Sequence, residues 1–389
     1  MLITGLAPIT PIGIGREDFL AGLAEGRVGI RPPERIEVGD TGVQNVAECL
    51  DFYVEDYLES EKTYLDRASE LLLAACHLAL TDGSLDARGM DHERIGLSIG
   101  TAYGCLGTMA EYYRKVLEKG AKFASTVLFT HTYANTPISL ASIEYGIMGP
   151  TNTVCTGVTS GAGALCYAFD LLRHGRTDAM LAGGMDALCQ PLFDGLAAEG
   201  LLGAGDPKPM DAQRDGFCLG EGAGLVLVER AQCAEARGAT PLARLMGHGM
   251  AQGGAEAVAA AAKAALADAA VSTADVGCVI TGASGSVKSD AEELTGLAQA
   301  WDGSLPPVTT LKGTIGETLA ASAILSLSAA VHVLQGGRVP PVRGLSRLDP
   351  ALPNVTPVLE PTCGHASQPL LISSLDDTGN CVCLVVGAP

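Results

Sequence analysis

The chain has 389 residues, and 25 basic against 44 acidic side chains give it a formal charge of −19. That balance excludes nucleic-acid binding through a general basic surface, because phosphate contacts need Lys and Arg in excess. A 47% hydrophobic and 18% charged composition excludes the disordered class, and the length suits one large domain or two fused halves.

The apolar run Met1-Leu2-Ile3-Thr4-Gly5 has no basic residue ahead of it, so it reads as a first strand and not as a targeting signal. Short apolar runs ending near Gly then alternate with helical patterns, the mark of strands feeding helices in an α/β sheet. Strands are predicted at Arg94–Gly100, Thr151–Cys155, Ala179–Gly184 and Gly224–Glu229, with a small-residue helix over Gly161–Arg173. After Arg237-Gly238-Ala239 the alternation starts again. It predicts strands at Leu242–Gly249, Val276–Thr281 and Cys381–Val386, helices at Glu256–Ala269 and Ala291–Trp301, and one long buried helix over Thr314–Leu334. The predicted domains are therefore 1–240 and 241–389, two halves of similar strand–helix content. The uncharged stretch Thr318–Leu334 approaches the roughly 18 apolar residues of a spanning helix but is rich in Ser and Ala, so no membrane partner is expected. Pro-rich 339–361 reads as an ordered surface loop.

Twelve Cys carry no CxxC pair, and Cys381 and Cys383 alternate as strand neighbours do. Neither a metal site nor a disulfide framework is indicated, which suits a reduced cytoplasmic compartment. Gly220-Glu221-Gly222-Ala223-Gly224 precedes a strand instead of opening a helix, so it is no dinucleotide fingerprint, and no cofactor is expected. His131 and His365 have no carboxylate or Cys at dyad or ligand spacing and are expected to be structural or exposed.

Cys155-Thr156-Gly157-Val158-Thr159-Ser160-Gly161 places small residues between a strand and a helix. Such a sharp corner can present a nucleophile at a helix N-terminus, where free N–H groups favour an anion. The apex is Val158, which has no nucleophilic atom. Cys155 lies three residues earlier and is expected to be a small buried hydrophobe.

From end to end the chain resembles the β-ketoacyl-acyl-carrier-protein synthases of the thiolase superfamily. The likeness rests on Ile3-Thr4-Gly5 with Thr10-Pro11-Ile12-Gly13, on Tyr145-Gly146 with Gly149-Pro150, and on His174-Gly175-Arg176-Thr177-Asp178 through Gly183-Gly184-Met185-Asp186. Its most diagnostic part is Asp206-Pro207, Met210-Asp211 and the run Arg214 to Gly224. The resemblance implies a thiolase-like fold, α/β in five layers αβαβα, built from two similar halves.

The family's working parts are a Cys that takes the acyl chain as a thioester and two His that polarise the malonyl thioester and stabilise the enolate. Its Thr-Ala-Cys-Thr-Ser-Gly falls on Thr156 to Gly161, so Val158 stands for the nucleophile. Asn-Ala-His-Gly-Thr falls on Thr281 to Gly285, which holds no His; counted residue by residue the first His position is Ala283, and Ser284 beside it is the side chain taken for that role. Lys-Ser-x-x-Gly-His falls on Lys312 to Glu317, leaving Glu317 for the second, with Lys312 retained. The Gly-Phe-Gly-Gly-Thr-Asn loop falls on Leu375 to Asn380. An ion pair with Lys312 or with a partner-chain residue is expected of Glu317, ahead of a lone acid of raised pKa.

Such a chain resembles the chain-length factors, which pair with an active ketosynthase and limit chain growth in type II polyketide, aryl-polyene or fatty-acid-like elongation. The expected partners are that ketosynthase and, mainly through it, an acyl-carrier protein, whose own acidity this surface would repel. The resemblance points to tunnel residues in 100–113 and in the loop 128–137: Tyr103, Met109, Tyr112, Tyr113 and Tyr133. Interface packing without a ruler role is the equal reading. Two other functions stay open, a divergent condensing enzyme using Cys155 or Ser284 with Glu317, and a homodimeric scaffold.

Overall fold

A computed structural model describes residues 1–58, 60–89 and 91–389. In the first half the chain forms β1 (Leu2–Thr10), β2 (Gly13–Ile14), α1 (Gly15–Glu25), α2 (Arg67–Asp82), β3 (Ile95–Gly100), α3 (Leu106–Lys119), α4 (Thr126–Thr130) and α5 (Thr136–Tyr145). There follow β4 (Thr151–Val154), α6 (Ser160–Arg173), β5 (Ala179–Asp186), α7 (Gln190–Ala198), β6 (Gly222–Glu229) and α8 (Ala231–Ala236). The second half runs β7 (Ala243–Gln252), α9 (Ala255–Ala269), β8 (Cys278–Ile280), α10 (Val287–Ala300), β9 (Val308–Thr309), α11 (Lys312–Ile315), α12 (Ser322–Leu334), β10 (Leu370–Leu375) and β11 (Asn380–Gly387).

The strands lie in the order β4-β3-β5-β6-β1 followed by β7-β11-β10-β8-β9. Replacing each main strand of the first half by its counterpart in the second, β1 by β7 and β3 by β8 and so on, turns one run into the other outward from the junction. Orientation repeats as well. β3 is parallel to β4 and β5, and β6 antiparallel to β5 and β1. In the same way β8 is parallel to β9 and β10, and β11 antiparallel to β10 and β7. The halves join through the pairs Leu2↔Arg244 and Ile3↔Ala243.

Three apolar cores stack across the two halves of this continuous 11-stranded sheet, each half a sheet layer of its own. The central one holds Ala162, Leu165 and Phe169 of α6 with Ile324, Leu327 and Val331 of α12, between the inward faces of both sheets. Leu71, Leu72 and Ala75 of α2 cover the outer face of the first sheet, and Val258, Ala262 and Leu294 of α9 and α10 that of the second. Helix, sheet, helix pair, sheet, helix is the five-layer arrangement expected. It needs close backbone approach at the centre: a Cβ on Gly161 would lie 2.1 Å from the Ala320 carbonyl oxygen, and one on Gly184 2.4 Å from the same atom.

The stretch predicted as one helix over Thr314–Leu334 is not continuous. α11 ends at Gly316, whose φ is +72°, and a short 3-10 turn, Leu319–Ala321, precedes α12. Leu319 also has positive φ, +53°, a conformation that costs a branched side chain energy and persists only where its surroundings enforce it. A helical pattern in sequence does not register such an interruption. Within 128–137, read as loop, lie the end of α4 and the start of α5. Segment 339–361 is ordered loop, anchored by buried Val339, Val342, Val355 and Val358. Among the described residues no helix is long and apolar enough to cross a membrane.

Candidate functional site

The corner after β4 is fixed by its own hydroxyls. Gly157 takes φ +69°, Ser160 Oγ accepts the Thr156 N–H at 2.8 Å and donates to the Gly157 carbonyl at 2.6 Å, and Thr159 Oγ1 donates to the Thr156 carbonyl at 2.8 Å. Val158 stands at the apex where α6 begins, half-buried against an apolar cluster that includes Phe193, Phe217 and Leu319. Cys155 does not share that place. It is exposed, not buried as predicted, because β4 is an edge strand whose end carries no neighbour on its outer side. Its thiol pKa is raised, by what burial it has and by the Asp186 charge.

Val158, Ser284 and Glu317 come from three separate segments and meet in one cavity of about 140 Å³, together with Tyr103, Leu319 and Asp376. Its lining, among the described residues, contains no Cys, His or Lys. Behind it Lys312 Nζ is ion-paired to Glu317 Oε2. The other carboxylate oxygen accepts the Leu319 N–H at 2.9 Å and Ser322 Oγ at 2.7 Å. Both ionic side chains are buried, so each charge depends on the other. The Glu317 main chain bonds Cys218 and Gly220 at 2.7 and 2.9 Å, linking this turn to the run that carries the family likeness.

Buried carboxylates hold the cavity walls. Glu293 accepts the Gly282 N–H at 2.9 Å, and Asp290 accepts those of Ser284 at 2.8 Å and Met210 at 3.0 Å. Complete burial pushes Glu293 up to about 7, against the pull of the Gly282 amide and the Lys312 charge. Burial likewise pushes Asp186 up to about 6, although the Ala102, Tyr103 and Ala320 amides and the Thr101 hydroxyl favour its anion. Asp376 gathers Thr378 N at 2.9 Å, Thr378 Oγ1 at 2.7 Å and Asn380 N at 2.9 Å, closing its own loop.

Of the expected tunnel residues, Tyr103 reaches the cavity. Met109 is half-buried on α3 outside it. Tyr113, Tyr112, Phe129 and Tyr133 form a chain of ring contacts, at 5.4, 5.7 and 5.4 Å, from α3 through α4 to the turn after it, and none of the four lines the cavity. His131 sits edge-on to Tyr64 at 5.1 Å and His365 pairs with Gln368 at 3.2 Å, both structural places. The sequence reading missed Asp186, Asp290, Glu293, Asp376 and Asp377. The spacing of Asp290 and Glu293 puts them on one helix face, but in sequence that face is indistinguishable from a solvated one.

The description Beta-ketoacyl synthase, N-terminal domain, fits residues 1–234, and Beta-ketoacyl synthase, C-terminal domain, fits 243–346. The chain belongs to the β-ketoacyl synthase family. Its thiolase-like α/β fold is the one that membership implies. The tetracenomycin polyketide synthase ketoacyl synthase alpha subunit of Streptomyces glaucescens is 30% identical over 381 residues, 90% of this chain and 88% of that one. A 3-oxoacyl-[acyl-carrier-protein] synthase 2 of Synechocystis is 33% identical over 258 residues. That match covers 64% of this chain and 62% of the enzyme, less than two thirds of its length. The solved ishigamide ketosynthase/chain length factor superposes with a TM-score of 0.94 at 25% identity, covering 100% of this chain and 98% of that one.

Proposed function

We propose that this ketosynthase-family chain is a chain-length factor, a non-catalytic subunit that pairs with an active ketosynthase and shapes the acyl tunnel between them. The observation that carries the reading is Val158 at the apex of the corner: a methyl group occupies the position from which a thiolate would attack, so no acyl-enzyme forms there. Glu317 adds to it. Its carboxylate is committed to Lys312, Leu319 and Ser322, and an anion beside a forming enolate raises the barrier to decarboxylation. Cys155 lies outside the cavity with a raised pKa, and the Glu317 carboxylate that would serve Ser284 as a base is already held by Lys312, Leu319 and Ser322, so an acyl transfer by this chain is not favoured.

A partner is supported by the surface around β4. Ile143 of α5, which packs beside β4, and Met148, just before it, are exposed, as are Tyr113, Leu117, Phe129 and Tyr133 of the α3–α4 region, and exposed apolar side chains of this size suit a partner's surface. The β4 side chains Asn152 and Thr153 hold buried oxygens without partners, and the strand's outer edge is open to pairing. The partly exposed ring chain from Tyr113 to Tyr133 suits a tunnel wall completed by the partner. The reading takes 1–240 and 241–389 as its two halves, with the carrier protein docking mainly on the ketosynthase.

The test is co-expression with a ketosynthase that has its Cys and both His. Stable one-to-one copurification, elongation by the pair and none by this chain alone are expected. A purified chain that elongates an acyl thioester by two carbons, or one that ignores every such ketosynthase, overturns the reading.

A further inference from the structure

Two carboxylates occupy the loop between β10 and β11 and both line the cavity, Asp377 exposed at its rim and Asp376 buried. Asp376 stands against the corner: a Cβ on Gly157 would lie 2.6 Å from its Oδ2. Asp377 is exposed and reaches the other wall, where its Oδ1 accepts Ser289 Oγ at 2.6 Å in the first turn of α10. Ser286, the N-cap of that helix, and Ser289 both line the cavity with Asp377. The helix N-terminus that would otherwise favour a bound anion is thus already faced by an anion of the chain itself. Lys288 is the near cation, its Nζ 3.5 Å from the Asp377 carbonyl oxygen. Glu317 and its ion pair lie deeper, with Asp290 and Glu293 behind the Gly282–Ser284 wall.

We propose that Asp376 and Asp377 make this cavity selective against anions, admitting small neutral molecules while turning away the phosphate- and carboxylate-bearing thioester arm of a carrier protein. The inference deepens the function proposed above and rests on it for the identity of the excluded arm. Field lines concentrate in a narrow, partly buried mouth, so two carboxylates there act on an entering anion more strongly than the same charges on an open surface.

A reporter thiol introduced by Val158→Cys in a Cys155→Ser background tests this. Its alkylation by neutral iodoacetamide and by anionic iodoacetate is followed by peptide-resolved mass spectrometry, with exposed Cys363 of the same molecules as the reference for each reagent. Relative to Cys363, iodoacetamide is expected to react at least about tenfold faster than iodoacetate. Asp377→Asn should raise the iodoacetate rate about fivefold and leave iodoacetamide within twofold, the scale of one charge removed near a protein surface. Equal rates for the two reagents overturn the proposal. So does an equal acceleration of both by Asp377→Asn, or a thiol that neither reaches, since shape and not charge would then guard the site. Lys288→Gln, which leaves the carboxylates in place, should further slow iodoacetate; a faster reaction counts against the proposal. Copurification with a ketosynthase is read separately, so failure here leaves the proposed function standing, and the reverse.

Discussion

Lys312 and Glu317 are each other's solvent. Their charges are buried together, and the pair replaces most of the water that both side chains give up on folding. Removing one partner strands the other, at a cost of about 3–5 kcal/mol, whereas replacing both by apolar groups can be nearly neutral. Lys312→Met is therefore expected to lose that much in urea unfolding, and Lys312→Met with Glu317→Leu to regain most of it. A single variant within 1 kcal/mol of the parent would show the pair to be hydrated. Glu293 gives a pH signature. Its folded pKa, about 7, lies above its ordinary 4.5, so the folded chain holds the proton more tightly than the unfolded one. Its contribution to stability is full below about pH 4.5 and is lost as pH rises through 7. In Glu293→Gln the melting temperature should fall less over that window, and an unchanged slope would reject the assignment. Val158, Glu317 and Lys312 were legible in the sequence because motif spacing places them, and Ser284 because it stands next to the position so placed. Asp186, Asp290 and Glu293 were not, since a carboxylate's burial depends on what packs over it.

At the scale of elements, the proposed pairing rests on β4 and on α5 beside it. Ile143 on α5 is 77% exposed and makes little of the fold's own core. Ile143→Lys is expected to weaken copurification with the ketosynthase at least tenfold, with under about 0.5 kcal/mol change in the chain's own stability. Equal recovery of the complex would place the interface elsewhere. Tyr133 closes the ring chain through Phe129. If that chain walls the tunnel, Tyr133→Ala in the assembled pair should shift products longer by at least one two-carbon unit, read by mass spectrometry; unchanged lengths would leave interface packing as its role. Alternating patterns were enough to locate β3, β5, β6 and β7. The break at Gly316–Leu319 escaped them, because the ties from Glu317 to Lys312, Cys218 and Gly220 that hold the turn are made by residues distant in sequence or by a buried charge.

For the whole molecule, a −19 chain with an apolar face has opposite demands on its surface. Charge keeps copies apart and, on the proposed function, slows approach of an acidic carrier, while exposed apolar side chains such as Ile143 and Met148 favour burial. Binding of a ketosynthase to the folded chain alone should add about 2.7 kcal/mol to its stability at one hundred times the dissociation constant. A melting temperature that ignores the partner would contradict the pairing.

The repeat of strand and helix, the thiolase-like architecture and the valine where sulfur is expected were all determined by the sequence, because local pattern and motif spacing survive without coordinates. The tertiary structure alone decided that three scattered positions share one cavity, that Cys155 is exposed and that two loop carboxylates line that cavity. Those outcomes depend on distances between segments far apart in the chain, and a one-dimensional pattern does not encode them.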